Sequence, residues 1–160
     1  MRKRSKPEPA DRTSPDYVRE VALRLLARRE HSRKELQWKL VSRELPTEVI
    51  EAVLDALAKA NLLSDIRFAE VYVRSRAERG YGPHRLRAEL RQRGVADALI
   101  ETSLATTEID WQEQAAHYYQ RRFGKTPPKD WKEAAKRRRS MEQHGYTADQ
   151  IRSVVRECED

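Results

Sequence analysis

Gly124-Lys125-Thr126 has the ending of a phosphate-binding loop, in which a glycine-rich turn aims backbone amides at a nucleotide and the lysine reaches its terminal phosphates. That motif needs a second glycine five positions before Gly124. Tyr119 stands there, so the triplet reads as a helix C-terminus followed by a polar turn. The four histidines, His31, His84, His117 and His144, are far apart, and none has a partner at metal-ligand spacing. They are expected at the surface or at helix ends, with no metal and no cofactor to hold. Glu30 and Glu35 stand four residues before Lys34 and Lys39, the spacing of solvated helical ion pairs. No Ser/His/Asp or Cys/His arrangement offers an activated nucleophile. The sequence supports catalysis least, and a chain without enzymatic activity is expected.

Binding chemistry is better represented. Arginine outnumbers lysine by 24 to 9, and its planar fork suits carboxylates and phosphates. Residues 74–93 hold seven arginines against two acids, and residues 121–139 hold nine basic residues against two. From the first stretch the candidate contacts are Arg74, Arg79, Arg85, Arg87, Arg91 and Arg93. From the second they are Arg121, Arg122, Arg137, Arg138 and Arg139. As clusters they read as a surface for phosphates or for an acidic protein face. Arg87 and Arg91 share a helix face opposite Leu86 and Leu90, and Arg137 points toward the apolar stripe of its own helix. Arg29, Arg76 and Arg122 each close an apolar stripe, a place from which a guanidinium can meet the last helical carbonyls. The aromatics Tyr72, Tyr118, Tyr119, Trp38, Trp111 and Trp131 lie on or near helical stripes, which favours packing between helices over stacking on bases.

The elements that must position these side chains are helical. Across 160 residues, 37% are charged and 38% hydrophobic, with five glycines and two phenylalanines, which disfavours sandwiches, barrels and a deep round core. The net charge of +7 points to anionic partners. No run of ~18 apolar residues could span a membrane. The basic start, MRKRSKPEPADRTSP, lacks the apolar segment of a secretory signal. Cys158 is the single cysteine, so no intramolecular disulfide is possible, and a cytoplasmic setting is expected. Residues 1–15 are read as a disordered basic tail.

Beyond the tail the pattern repeats. Ala22, Leu25, Leu26 and Arg29 return as Ala69, Tyr72, Val73 and Arg76, then as Ala115, Tyr118, Tyr119 and Arg122. Leu36, Leu40, Leu45, Ile50 and Leu54 return as Leu86, Leu90, Val95, Ile100 and Leu104, and in part as Met141, Tyr146, Ile151 and Val155. This predicts an all-α chain of three tandem three-helix repeats, at 16–63, 64–107 and 108–160, forming an elongated curved array. Ser32 and Glu35 suggest a capping box. Pro46-Thr47 and Ser64-Asp65 mark later helix starts. Gly94 and Gly145 fit the left-handed residue that closes a second helix. Glu44 holds that place in the first repeat, where it would be strained, so a different turn is expected there.

These landmarks resemble the bacterial RecX family of RecA regulators. The resemblance rests on Ala22, Leu25, Leu26 and Arg29, on Ser32-Arg33-Lys34-Glu35-Leu36, on Leu62-Leu63-Ser64-Asp65 with Phe68-Ala69, and on Gly80-Tyr81-Gly82 with Arg85-Leu86, Glu89-Leu90 and Gly94-Val95. It implies a protein that binds the RecA nucleoprotein filament along its groove and lowers strand exchange, ATP hydrolysis and coprotease activity, and so regulates recombination and the SOS response. It defines no contact residues. A monomer is expected, with weak contact to single- or double-stranded DNA and no membrane partner. Two other readings stand beside it: a direct, sequence-nonspecific DNA-binding module, and an adaptor for an unrelated partner. Arg85, Arg87 and Arg91 lie on one helix, but no Asn or Gln at its start would read adenine.

Overall fold

The computed structural model of the chain describes residues 11–155. Cys158 and most of the expected tail, residues 1–10, lie outside them. Asp11–Thr13 forms a short 3-10 turn, and the helices follow as α1 Pro15–Arg28, α2 Arg33–Val41, α3 Thr47–Lys59, α4 Asp65–Glu78, α5 Pro83–Gln92, α6 Asp97–Thr106, α7 Trp111–Phe123, α8 Trp131–Gln143 and α9 Ala148–Val154. Among the described residues there is no strand, and no helix is long and apolar enough to cross a membrane. The fold is all-α, as the periodicity predicts.

Caps set the helix starts. Ser14 accepts from Tyr17 N at α1, Asp110 from the first-turn amides of α7, and Asp130 from Glu133 N at α8. At α2 only half of the expected capping box forms. Ser32 Oγ accepts from Glu35 N, but the Glu35 carboxylate turns to Arg29 and Arg93. The full box occurs at α9, between Thr147 and Gln150. Thr47 does not cap α3; it is the first helical residue, after Pro46.

The helices pack into two compact units. Among the described residues, unit 1 comprises those up to Phe68 together with Arg93–Val95, and unit 2 comprises Ala69–Gln92 and those from Ala96 to Val155. In unit 1, α1, α2 and α3 enclose a core that includes Val18, Ala22, Leu36, Leu40, Ile50 and Leu54, all fully buried. Ser32 Oγ donates to the Arg93 carbonyl at 2.6 Å, and Gly94 sits against the Lys34 side chain. In unit 2, Leu86 and Leu90 of α5 are fully buried, and α7, α8 and α9 close on Ala115, Tyr118, Tyr119, Met141, Tyr146 and Ile151.

Unit 2 repeats the turn-to-turn contact of unit 1 at equivalent positions. Gly82 N donates to the His144 carbonyl at 2.7 Å, and His84 N to the Gly145 carbonyl at 2.9 Å. A side chain on Gly82 would meet the Gly145 backbone at 2.6 Å, which explains a glycine on each side of the contact.

Glu44 corrects one expectation. It takes the left-handed conformation itself, with φ of 60°, matching Gly94 at 77° and Gly145 at 93°. The turn is therefore the same in all three repeats, and the first one carries the strain.

Candidate binding surface

The arginine-rich segments separate into committed and uncommitted guanidinium groups. The deepest network is built on Glu89 of α5. Arg76 of α4 donates to both its oxygens, at 2.7 and 3.0 Å, Tyr72 donates at 2.6 Å and Arg85 at 3.1 Å. Arg76 and Arg85 also lie over the Tyr81 ring, at 3.9 and 4.5 Å from its centroid. Burial raises the Glu89 pKa, but the Arg76, Tyr72 and Arg85 hydrogen bonds outweigh it and hold the carboxyl at about 2. Arg76 thus pairs with a carboxylate of the next helix rather than with helix-end carbonyls. Arg29 does likewise with Glu35, at 3.0 Å.

Further candidates are committed too. Arg87 binds Glu101 through Nε at 2.6 Å, and Arg91 binds Asp97 at 2.7 Å. Both pairs tie α5 to α6. Arg93 pairs with Glu35 at 3.1 Å, and Arg138 is half-buried and engaged. Arg137 leaves the candidate list. It is 5% exposed, and its guanidinium donates to Tyr119 Oη at 2.7 Å, the Thr126 carbonyl at 2.9 Å and Glu133 at 2.6 Å. It occupies the position where the first two repeats have a core leucine, and these partners make its burial tolerable.

Five candidates remain exposed without an ion pair among the described residues: Arg74 of α4, Arg79 in the turn just past its end, Arg121 and Arg122 of α7, and Arg139 of α8. All five belong to unit 2. The Arg121 guanidinium of α7 lies beside Gly80, the residue after Arg79 in the turn that follows α4.

Other sequence readings shift. His31 does lie at a helix end, just before the Ser32 cap of α2, but it is buried there, at 1% exposed. Its Nε2 faces Lys39 Nζ at 2.9 Å, so it accepts there, and Nδ1 donates to the Arg29 carbonyl at 3.0 Å. Burial is the main cause that lowers the pKa of His31, and also that of Lys39. His144 is half-buried, stacked on Tyr81 and bonded to Tyr118 Oη. The carboxylates expected in local pairs reach further: Glu30 binds Arg67 and Glu35 binds Arg29 and Arg93. Tyr118 and Tyr119 are core residues, but Trp38 and Trp131 are exposed. Lys34 covers the Trp38 ring at 4.7 Å. Gly124 caps α7 with φ of 74°, as a helix-ending turn requires. Among the described residues no three His, Cys, Asp or Glu side chains converge as a metal site would need.

Sequence reasoning missed a basic groove in unit 1, where Arg12, Arg24, Arg28 and Arg43 line one cavity. Residues 24–43 hold seven basic residues against two acids, the same balance as residues 74–93, but the spacing of Arg12, Arg24, Arg28 and Arg43 does not show that they share one cavity. Only the packing of the α2–α3 turn against α1 gathers them.

Comparison with known proteins identifies the helical modules. Family models described as the first, second and third three-helix domains of RecX match residues 19–57, 64–104 and 108–155. A protein named Regulatory protein RecX from Halorhodospira halophila is 50% identical over 140 residues, covering 88% of this chain and 87% of the relative. Another of that name from Ectopseudomonas mendocina is 44% identical over 147 residues, covering 92% of this chain and 98% of the relative. The crystal structure of RecX from Lactobacillus salivarius superposes with a TM-score of 0.73 at 23% identity, over 91% of this chain and 96% of that one, which supports the fold. With three modules matched in order and relatives aligned over most of both chains, this chain belongs to the RecX family of regulatory proteins.

Proposed function

We propose that this chain regulates a RecA-type recombinase by binding its nucleoprotein filament and restraining strand exchange, ATP hydrolysis and coprotease activity. It does so in the cytoplasm, as a monomer, without chemistry of its own. Family membership supports a regulatory role, and the uncommitted arginines of unit 2 are the observation that carries the binding mode. Arg74, Arg79, Arg121, Arg122 and Arg139 have no internal carboxylate among the described residues, so their charge is available to acidic RecA side chains or DNA phosphates. Arg85, Arg87, Arg91 and Arg93 serve the fold first, through Glu89, Glu101, Asp97 and Glu35.

The test is inhibition of RecA ATPase on single-stranded DNA. Arg79→Glu with Arg121→Glu should weaken inhibition about tenfold, a size common for close charge pairs at interfaces, with helicity unchanged. Full inhibition by this variant would remove Arg79 and Arg121 from the binding surface. Full inhibition that also ignored salt would overturn the electrostatic mode.

A direct DNA-binding reading has one observation of its own. Trp38 is 53% exposed with a lysine over its ring, an arrangement on which an unpaired base could stack. Trp38→Ala should then weaken binding to free single strands while leaving filament inhibition intact.

A further inference from the structure

The unit 1 groove is made of residues other than the uncommitted arginines of unit 2. Its cavity volume is about 540 Å³, within the ~300–1,000 Å³ of ligand clefts. Tyr17, Val21 and Leu25 lie on one face of α1 and form an apolar floor. Arg24 and Arg28 rise from the same helix, Arg12 comes from the 3-10 turn, and Arg43 comes from the α2–α3 turn. Arg24 pairs with Glu20; Arg12, Arg28 and Arg43 form no ion pair among the described residues. Their field reaches inward. Lys39 is held below its ordinary pKa chiefly by burial and then by Arg29, with Arg43 and Arg28 adding to the effect.

Glu44 supplies the second, independent observation. It lines the groove from a left-handed backbone position that the other two repeats give to glycine. A strained non-glycine residue at the rim of a cavity points to a use for its side chain. Beside three uncommitted arginines, that carboxylate would repel a purely anionic ligand. It suits a ligand that brings hydrogen-bond donors together with its negative charges.

We propose that this groove binds an acidic peptide segment: its carboxylates pair with Arg12, Arg28 and Arg43, an aliphatic side chain rests on Val21 and Leu25, and Glu44 accepts from a peptide N–H. A phosphodiester backbone offers acceptors only and nothing aliphatic for the floor, so a nucleic-acid backbone fits this groove less well. The proposal concerns unit 1 and stands apart from the filament reading.

The experiment uses the full chain and a dye-labelled synthetic peptide of alternating glutamate and leucine, followed by fluorescence anisotropy. A thymidine oligonucleotide of equal charge is the comparison probe. Arg28→Ala with Arg43→Ala should weaken peptide binding about tenfold, with a much smaller change for the oligonucleotide. Both positions are exposed, so folding should be intact, which circular dichroism checks. Glu44→Gly gives the sharper sign. Removing a carboxylate should strengthen any ligand held by charge alone, whereas loss of the N–H acceptor should weaken the peptide. Weaker peptide binding by Glu44→Gly supports the proposal. Tighter peptide binding, or an oligonucleotide that loses as much as the peptide in the arginine variant, would overturn it in favour of a general anion track. Peptide binding indifferent to all three substitutions would also overturn it. No filament is present in the assay, so its outcome is separate from the ATPase measurement.

Discussion

Glu89 shows how much of the arginine content serves the fold. Its carboxylate collects Arg76, Arg85 and Tyr72 while only 16% exposed, so its charged form is stabilised far more in the folded chain than in the unfolded one. The folded pKa of about 2 lies below the ordinary 4.5. That difference contributes stability that is present above pH 4.5 and is lost as pH falls toward 2. Glu89→Gln should therefore cost about 3 kcal/mol at neutral pH, and the gap to the parent chain should close on acidification. Denaturant titrations at several pH values measure this. His31 has a lowered pKa of its own, so the unfolded chain takes up its proton first. Its contribution is complete above pH 6.5 and declines as pH drops below that value, with Lys39 and Arg29 opposing the imidazolium. A His31→Asn variant should show a flatter stability profile between pH 7 and pH 5. Glu44 predicts a gain: Glu44→Gly should raise stability by ~1 kcal/mol, since glycine takes the left-handed conformation without strain. Thermal unfolding at neutral pH checks it.

At the scale of elements, the turns after the second helices do more than end them. The α8–α9 turn follows a Schellman pattern: Tyr146 N donates to the Met141 carbonyl, and Gly145 N to the Glu142 carbonyl. The same turn receives α5. A methyl group on Gly145 would meet Arg85 N at 2.5 Å, on a backbone that cannot swing aside. Gly145→Ala should thus cost at least ~2 kcal/mol, whereas Gly124→Ala, with open space around it, should cost only the backbone strain. Tyr146 joins the same contact, donating to the buried Gly80 carbonyl at 2.8 Å. Burial of its ring raises the hydroxyl pKa, which keeps it a donor throughout the physiological range. Leu86, fully buried on α5, tests the core directly: Leu86→Ala should cost ~2–5 kcal/mol in a denaturant titration. A loss below half a kcal/mol would mean that the α5 face is misassigned.

Over the whole molecule, the charge of +7 is unevenly useful. Arginines bound to Glu89, Glu101, Asp97 and Glu133 are internally neutralised, so attraction for an anionic partner falls to those left over. Their fields are screened within ~8 Å at physiological ionic strength. The proposed filament inhibition should therefore weaken steadily with added salt in an ATPase assay, and the Arg79→Glu, Arg121→Glu variant should show a shallower salt dependence than the parent.

The fold was legible because it rests on local physics. Apolar residues at helical spacing, prolines and cap residues at helix starts, and glycines after second helices each act within a turn or two. Leu36, Leu40, Leu86 and Leu90 could be assigned to the core from spacing alone. Family membership followed from the order of those same landmarks. The binding surface was less legible, because a guanidinium becomes available only if folding brings it no carboxylate. Arg87 and Arg79 look alike in sequence, yet only Arg87 finds an acid, Glu101, fourteen residues away on the next helix. Helix phase alone turned Arg137 toward the apolar stripe, but only the fold supplied the Tyr119 hydroxyl and Thr126 carbonyl that receive it there. Arg12, Arg28 and Arg43 share one groove for the same reason. Local periodicity determined the helices, their caps and their apolar faces. Pairing between charges distant in sequence was decided by tertiary packing, because electrostatic partners are set by distance in space.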